Sequence, residues 1–195
     1  MINAIVLAAG ESIRMGKSKP LLRIGDRTFL EQIVAVLQDA NVDRITVVLG
    51  ARAEAIAEAV DLTSVDVVVN SSYRNGQLSS LITGLDNAPA ETEAILLCLV
   101  DGPFITADIV NQVLATFQET GASIVIPTFE GQRGHPSLFA RPLFEQLRNA
   151  PPEEGARYVV YANEDKIVEV EIPEKAVVAG INTPEDYRLH FGTDP

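Results

Sequence analysis

The chain has 195 residues, 47% of them hydrophobic, and a formal net charge of −12 at pH 7. This length and composition predict one globular domain over residues 1–195, large enough to bury a continuous core. The acidic balance argues against a protein that binds nucleic acid or anionic membranes, because such proteins bind mainly through basic surfaces.

The cysteine content and the hydrophobic runs bear on cellular location. Cys98 is the only cysteine and lies in an apolar run, so we expect a buried thiol and no intramolecular disulfide. No run reaches the roughly 18 apolar residues of a membrane span, and no basic segment precedes the first hydrophobic stretch. We therefore expect a cytoplasmic protein with no membrane partner.

Short apolar runs alternate with helical patterns along the first two thirds of the chain. Runs rich in Val, Ile and Leu, typical of parallel strands covered on both faces, lie at residues 4–7, 44–49, 65–69, 94–99 and 123–127. Helical patterns begin at Thr28, which forms a capping box with Glu31, and recur at residues 51–60, 77–87 and 107–119. The alternation predicts an α/β fold with a Rossmann-like, doubly wound, mostly parallel sheet and helices on both faces.

Beyond residue 127 the pattern loosens. A Gly-rich segment, FEGQRGHPSLF, precedes a helix near residues 142–148, and PPEEGARYVV leads into a further helix or turn. Alternation predicts a strand at 166–172, which a short apolar segment at 176–179 follows. The last helix begins at Pro184 with Thr183 as its N-cap, so we expect Asp186 to cap this helix rather than bind a metal.

The loop after the first strand, GESIRMGKS at residues 10–18, nearly matches the P-loop pattern G-x-x-x-x-G-K-[ST]. Five residues rather than four separate Gly10 from Gly16, and Pro20 follows where a P-loop would begin a long helix, so we do not expect a P-loop. The loop is basic, since five of the 15 Lys and Arg residues lie between positions 14 and 27. Its small residues permit close backbone approach, and Arg14 and Lys19 can neutralise a triphosphate.

A longer stretch around this loop, LAAGESIRMGKSKPLL, resembles the nucleotidyltransferase signature L-A-[AG]-G-x-[SG]-x-R-[MF]-G-x-x-K-x-L-L. Further stretches fit the same group: NSSYRNGQLSSLITGL at 70–85, LVDGPFIT at 99–106, EGQRGHPSLF, and GINTPEDY. Together they cover nearly the whole chain and resemble the MobA-like NTP transferase family, most closely its molybdenum cofactor cytidylyltransferase branch. The resemblance implies a fold of the nucleotide-diphospho-sugar transferase type.

The same resemblance implies the roles of individual residues. Arg14, Lys19 and Asp101 would be the catalytic residues. Arg14 and Lys19 would contact the phosphates of the nucleotide, and the Asp101 carboxylate would bind Mg²⁺. Asn182 would be a second metal ligand, and His135 would lie at the acceptor. The nucleotide would contact Leu7, Ala8, Ala9, Gly10, Asn70, Gly76, Ser79 and Ser80.

Without the resemblance, several of these residues have plainer interpretations. Asp101 could belong to an ordinary turn, Ser79 or Ser80 could cap a helix, and Asn70 could start a turn. His135 could be structural or simply exposed. Lys17 is interpreted as a solvated neighbour, because Lys19 fills the lysine position of the signature.

The implied reaction is transfer of CMP from CTP to molybdopterin, with Mg²⁺ and release of pyrophosphate. Cytosine is favoured by Ala9, since related guanylyltransferases tend to have L-A-G-G where this chain has L-A-A-G. Gly102 departs from relatives, which often carry Gln there, and this puts nearby acceptor contacts in doubt. A molybdoenzyme or its chaperone is a candidate further partner.

Two alternatives stay open at this stage. One is an enzyme of the same fold that uses GTP, or that uses a sugar phosphate or another small acceptor. The other is a non-catalytic carrier or chaperone of the molybdenum cofactor. The presence of Arg14, Lys19 and Asp101 together argues against a carrier, which needs no metal site.

Overall fold

The computed structural model describes residues 1–195. Its strands are β1 (Ile2–Ala8), β2 (Arg23–Ile24), β3 (Arg27–Thr28), β4 (Arg44–Leu49), β5 (Asp66–Val69), β6 (Ala94–Leu99), β7 (Ile124–Phe129), β8 (Gln132–Arg133), β9 (Ser137–Ala140) and β10 (Ile167–Glu171). Its helices are α1 (Phe29–Asp39), α2 (Ala53–Ala59), α3 (Gln77–Asp86), α4 (Ala107–Thr120), α5 (Phe144–Arg148), α6 (Ala156–Ala162) and α7 (Pro184–Phe191). No helix is both long enough and apolar enough to cross a lipid bilayer.

The main sheet has eight strands and confirms the expected α/β architecture. Seven strands lie in the order β10-β7-β9-β6-β1-β4-β5, and β8 pairs with β7 outside this path. The pairs β1–β4, β1–β6, β4–β5 and β7–β10 are parallel. Their carboxyl ends therefore meet at the same edge of the sheet, where open α/β sheets bind ligands.

Two short strands of the sheet, β8 and β9, were not predicted. β9 runs antiparallel between β6 and β7, so the sheet is mixed at this point. Its four residues, SLFA, are too few to show a period and follow a Gly-rich loop. The short apolar segment at 176–179 overlaps a 3₁₀ turn at Lys175–Val177 and adds no strand.

The core lies on both faces of the sheet because the central strands are buried on both sides. Along β1, Val6 belongs to a cluster of 31 buried residues under α1, α4 and α7, whereas Ile5 belongs to a cluster of 17 under α3, α5 and α6. Cys98 lies within the first cluster, and its burial raises the pKa of the thiol to about 12. The expected buried thiol is confirmed.

A glycine brings α3 close to the sheet. A Cβ atom on Gly84 would lie 2.6 Å from Ile5 Cγ2 on β1 and 3.0 Å from Val48 Cγ2 on β4. The helix can pack at this distance only because the position has no side chain. Close packing fixes the beginning of α3 at the carboxyl edge of the sheet, where the candidate site lies.

We expect Gly84→Ala to destabilise the protein even though alanine is the better helix former. Alanine gains about 1 kcal/mol of helix propensity, but forcing a methyl group into a packed core costs about 1–3 kcal/mol. Urea denaturation of the wild type and the variant measures the difference. A variant as stable as the wild type would show that α3 can move away from the sheet at no cost.

Candidate active site

The loop between β1 and β2 folds back on itself and sets the position of Lys19. Ser12 has a left-handed backbone with φ of 56°, and its carbonyl accepts the backbone N–H groups of Met15 and Gly16. Its side-chain oxygen accepts the N–H of Lys19 at 3.1 Å. Lys19 then begins a 3₁₀ turn whose Pro20 is buried. The loop is therefore an ordered turn rather than the opening of a helix, as expected from Pro20.

Lys19 joins two oxygen groups from distant parts of the chain. Its Nζ donates to Asp101 Oδ2 at 3.0 Å and to Asn182 Oδ1 at 2.8 Å. The Lys19 side chain is only 13% exposed and that of Asp101 27% exposed. Arg14 Nη2 also donates to Asn182 Oδ1, at 3.1 Å. Four residues that the sequence pointed to thus lie together at the carboxyl edge of the sheet.

The helix α7 holds Asn182 in this cluster. Asp186 Oδ2 accepts the backbone N–H of Asn182 at 2.9 Å and that of Thr183 at 2.8 Å, while Thr183 Oγ1 accepts the N–H of Asp186. These bonds form the capping box of the helix and confirm the expected capping role of Asp186. The backbone N–H of Ile181 donates to the Asp101 carbonyl oxygen at 2.8 Å, which ties the two segments together.

A cleft of about 650 Å³ opens above this cluster. Four segments form its walls: the end of β1 with the following loop, the start of α3 with the turn before it, the end of β6 with the residues that follow it, and Asn182 before α7. The residues expected at the site that line it are Leu7, Ala8, Ala9, Gly10, Arg14, Lys19, Gly76, Ser80, Asp101 and Asn182. A cleft of this size, with backbone and cations on its wall, suits a nucleotide.

Asn70 and Ser79, also expected at the nucleotide, do not line the cleft. Asn70 is 4% exposed, and its Nδ2 donates to Ser79 Oγ at 2.9 Å and to Ser80 Oγ at 3.0 Å. Its Oδ1 accepts the N–H of Ser72 at 2.9 Å. The amide therefore fastens the end of β5 to the start of α3. Gly76 is the N-cap of α3, so neither serine caps this helix.

Sequence reasoning missed a group at the mouth of the cleft. Glu11 Oε1 accepts from Arg74 Nε at 3.1 Å and from the Tyr73 hydroxyl at 3.4 Å. The Arg74 guanidinium also lies 5.3 Å from the centre of the Tyr73 ring. These contacts link the loop after β1 to the segment before α3. Both segments lie within the matched stretches, but no local pattern indicates that these side chains pair.

His135 lies beside the cluster rather than in the cleft. It lines two adjoining cavities of about 330 and 540 Å³, and the smaller one also contains Asp101 and Asn182. Burial lowers the pKa of His135, although the negative charge of Asp101 and the backbone of Leu97 act in the opposite direction. The imidazole is therefore neutral at pH 7, with Nδ1 at 3.4 Å from Ser137 Oγ.

The loop that carries His135 packs against the 3₁₀ turn before α7. The N–H of His135 donates to the Val177 carbonyl at 2.8 Å, and a Cβ atom on Gly134 would overlap the same carbonyl. Neighbouring Arg133 is bound by Glu164 and Glu169, and these two bonds raise its pKa. His135 is thus held in place, while the charge of Arg133 is neutralised.

The site offers only a small set of metal ligands. No group of three or more His, Cys, Asp and Glu side chains is placed to hold a metal ion. The Asp101 carboxylate and the Asn182 amide oxygen, however, already face one cationic atom, Lys19 Nζ. Mg²⁺ is commonly held by one or two carboxylates together with substrate phosphates. The two oxygens fit such an ion, with the remaining ligands from a nucleotide and water.

The mostly parallel sheet, the cleft at its carboxyl edge and the cations beside one carboxylate are the features of a nucleotidyltransferase. The family model of the MobA-like NTP transferase domain matches residues 4–167, and the chain belongs to this family. The expected membership is confirmed, and the non-catalytic carrier is set aside.

Individual relatives match nearly the whole length of the chain. The chain is similar to the molybdenum cofactor cytidylyltransferase of Escherichia coli (strain K12), with 30% identity over 95% of this chain and 93% of that protein. It is also 30% identical to a probable molybdenum cofactor guanylyltransferase of Mycobacterium avium (strain 104), over 94% and 92% of the two chains. The crystal structure of Rv0371c from Mycobacterium tuberculosis H37Rv matches with a TM-score of 0.87 and 26% identity, over 98% of both chains.

We expect Asp186→Ala to lower stability at neutral pH by about 1 kcal/mol, since it removes the N3 half of the capping box and leaves the N–H groups of Asn182 and Thr183 without their acceptor. The N–H groups of Asn182 and Thr183 lower the pKa of Asp186 in the folded state, so its stabilisation is present above the unfolded value of 3.8. It is lost as the pH falls through the lower folded pKa. The difference between wild type and variant, measured by urea denaturation, should therefore shrink in acid.

Glu185→Ala is the matched control, because Glu185 is an exposed acid in the same first turn. It should change stability much less than Asp186→Ala. Equal effects of the two variants, or a difference that does not depend on pH, would contradict the capping role.

Proposed function

We propose that the protein transfers CMP from CTP to the terminal phosphate of a molybdopterin-type acceptor and releases pyrophosphate, with Mg²⁺ as cofactor. The observation that carries this proposal is the convergence of Lys19, Asp101 and Asn182 on one point at the carboxyl edge of the sheet. Nucleotidyl transfer needs a cation and a metal ligand at the reacting phosphate, and this cluster supplies both.

Different residues of the cleft make different contributions to binding the triphosphate. The small residues Ala8, Ala9 and Gly10 let the phosphates approach the backbone, and Arg14 and Lys19 supply positive charge. Both cations are held by oxygens of the site and can turn to phosphate oxygens at the same place. Lys19 then stabilises negative charge on the α-phosphate and on the departing pyrophosphate.

Asp101 and Asn182 would hold the metal ion. When bound, Mg²⁺ neutralises phosphate charge and orients the phosphates for reaction. The crystal structure of Rv0371c in complex with manganese, which matches this chain with a TM-score of 0.82 and 25% identity over 98% of both chains, supports a divalent ion in this type of protein.

The reaction needs no protein nucleophile. An oxygen of the acceptor phosphate, already anionic, forms a bond to the α-phosphorus, while the bond from that phosphorus to the bridging oxygen breaks. Pyrophosphate leaves with the bonding electron pair. The protein contributes position and charge, which are the main sources of catalysis in such transfers.

The choice of base rests on Ala9, and the structure suggests how this residue would act. A Cβ on Gly50 would lie 2.8 Å from Ala9 Cβ, so the Ala9 methyl group faces Gly50 and the protein interior. We propose that Ala9 favours cytosine by fixing the backbone at the base rather than by direct contact. GTP is the alternative donor, because cytidylyl- and guanylyltransferases are similar to this chain at the same 30% identity.

A sugar phosphate or another small phosphorylated compound is the alternative acceptor. A molybdoenzyme or its chaperone that receives the product is a proposed further partner. Neither alternative changes the roles of Lys19 and Asp101, since the chemistry at the α-phosphate is the same.

Product formation with separate nucleotides tests the proposal. The purified protein is mixed with Mg²⁺, molybdopterin and one of CTP, GTP, ATP or UTP, and both pyrophosphate and the dinucleotide form of the cofactor are measured. We expect product with CTP only. Product with GTP alone would overturn the choice of base, and pyrophosphate release only with a sugar phosphate would overturn the acceptor.

Asp101→Ala should abolish turnover without unfolding the protein, because it removes a metal ligand at the surface of a cleft. We expect a loss of at least about a hundredfold in kcat, with an unchanged circular dichroism spectrum. Asp108→Ala is the control, since Asp108 is an exposed acid at the start of α4 and outside the cleft. An active Asp101→Ala protein would show that Asp101 is not an essential metal ligand.

A further inference from the structure

The larger of the two cavities at His135 has no role in the function proposed so far. It measures about 540 Å³ and is called the α6 cavity, because Pro152–Arg157, Val160 and Tyr161, in and before α6, form one of its walls. It shares Leu7 and Gln77 with the nucleotide cleft, and Arg133, Gly134 and His135 with the smaller cavity that contains Asp101. The α6 cavity therefore adjoins both the nucleotide cleft and the smaller cavity, and each of these contains Asp101 and Asn182.

The lining of the α6 cavity suits a flat, polar ring. Apolar side chains from α3 and the sheet cover its floor, among them Leu78, Leu81 and Phe139. Gln77, Ser137 and His135 add hydrogen-bonding groups. The Tyr161 ring is 62% exposed on the wall and offers a surface on which a ring can stack.

The two arginines that line this cavity differ in whether they are available to a ligand. Arg133 is bound by Glu164 and Glu169, so it is not available to a ligand. Arg157 forms no ion pair and no side-chain hydrogen bond, although Glu153 and Glu154 precede it on the same wall. Both glutamates are exposed, where water and salt weaken their repulsion of an anion. Arg157 is therefore the guanidinium in this cavity that is free to pair with an anionic ligand.

The smaller cavity is a poorer place for such a ligand. It measures about 330 Å³, its only cation is the neutralised Arg133, and no aromatic side chain other than His135 lines it. Asp101 and Asn182 lie on its wall, so it suits a phosphate group that points toward the metal ligands.

We infer that the α6 cavity holds the body of the acceptor, a phosphomonoester with a flat, hydrogen-bonding ring. The acceptor phosphate lies past His135, near Asp101 and Lys19, and the ring packs against Tyr161. Arg157 pairs with anionic charge on the acceptor. The inference rests on the proposed function, because it supposes a phosphorylated acceptor, and it names the residues that select it.

Direct binding of molybdopterin tests the inference without turnover. Protein without nucleotide is titrated into molybdopterin, and the fluorescence of the pterin is followed. We expect Arg157→Gln and Tyr161→Ala each to weaken binding about tenfold, the usual effect of losing one charge-assisted hydrogen bond or one stacked ring. Arg157→Lys, which keeps the charge, should recover part of the affinity.

Two matched controls separate local from general effects. Arg188→Gln removes the same charge from α7, and Tyr158→Ala removes an exposed tyrosine of the same helix that does not line the cavity. Both should bind molybdopterin like the wild type, and all variants should keep the wild-type melting temperature. In the transfer assay, Arg157→Gln should raise the KM for the acceptor about tenfold, with kcat and the KM for CTP unchanged.

The two readouts distinguish failure of this inference from failure of the proposed function. A wild type that binds molybdopterin through Arg157 and Tyr161 but transfers no nucleotide would support the cavity and overturn the proposed reaction. Transfer that is unaffected by Arg157→Gln and Tyr161→Ala would overturn the cavity alone. A wild type that neither binds nor modifies molybdopterin would overturn both.

Discussion

The Lys19 ammonium, shared between the Asp101 carboxylate and the Asn182 amide, is the contact on which the site depends. It joins three segments: the loop after β1, the end of β6 and the entry to α7. A cation that is only 13% exposed is costly to bury without partners, and here two oxygens offset that cost. Each segment in turn has its own support, from Ser12 at Lys19 to the α7 capping box at Asn182. The chemistry therefore lies on a framework fixed by local hydrogen bonds.

The sheet places these segments together before any side chain contributes. β1 and β6 are parallel neighbours with Leu7 opposite Leu99, so the chain leaves both strands at the same height. Gly84 lets α3 pack closely enough to bring its first turn to the same edge. The position of the cleft is thus set by the backbone, and side chains complete its lining and supply its charge. The small residues Ala8 to Gly10 line this cleft beside its cations.

The predictable part of the molecule is the part with long or repeated patterns. Apolar runs located β1, β4 and β6, and the signature around Lys19 located the cluster, since both extend over many residues. β9 has only four residues and no period, so it could not be predicted. Asn70 and Ser79 lie in a matched stretch but face each other rather than the cleft, because a motif gives a position and not a direction. Pairs such as Glu11 and Arg74 are far apart in the sequence and meet only in the folded protein, so no local pattern predicts them.

An acidic protein can bind a polyanion if its cations differ in how firmly they are paired. Outside the nucleotide cleft, Arg133 and Arg148 are each bound by two carboxylates and are thereby neutralised. In the cleft, Arg14 binds only a neutral amide oxygen, and Lys19 shares one carboxylate with that amide. Exchanging an amide for a phosphate oxygen costs little and gains a charge-assisted bond. Net charge therefore says little about whether such a protein can bind a polyanion, because a few cations at one edge of the sheet, each paired with no more than one carboxylate, can provide a local site.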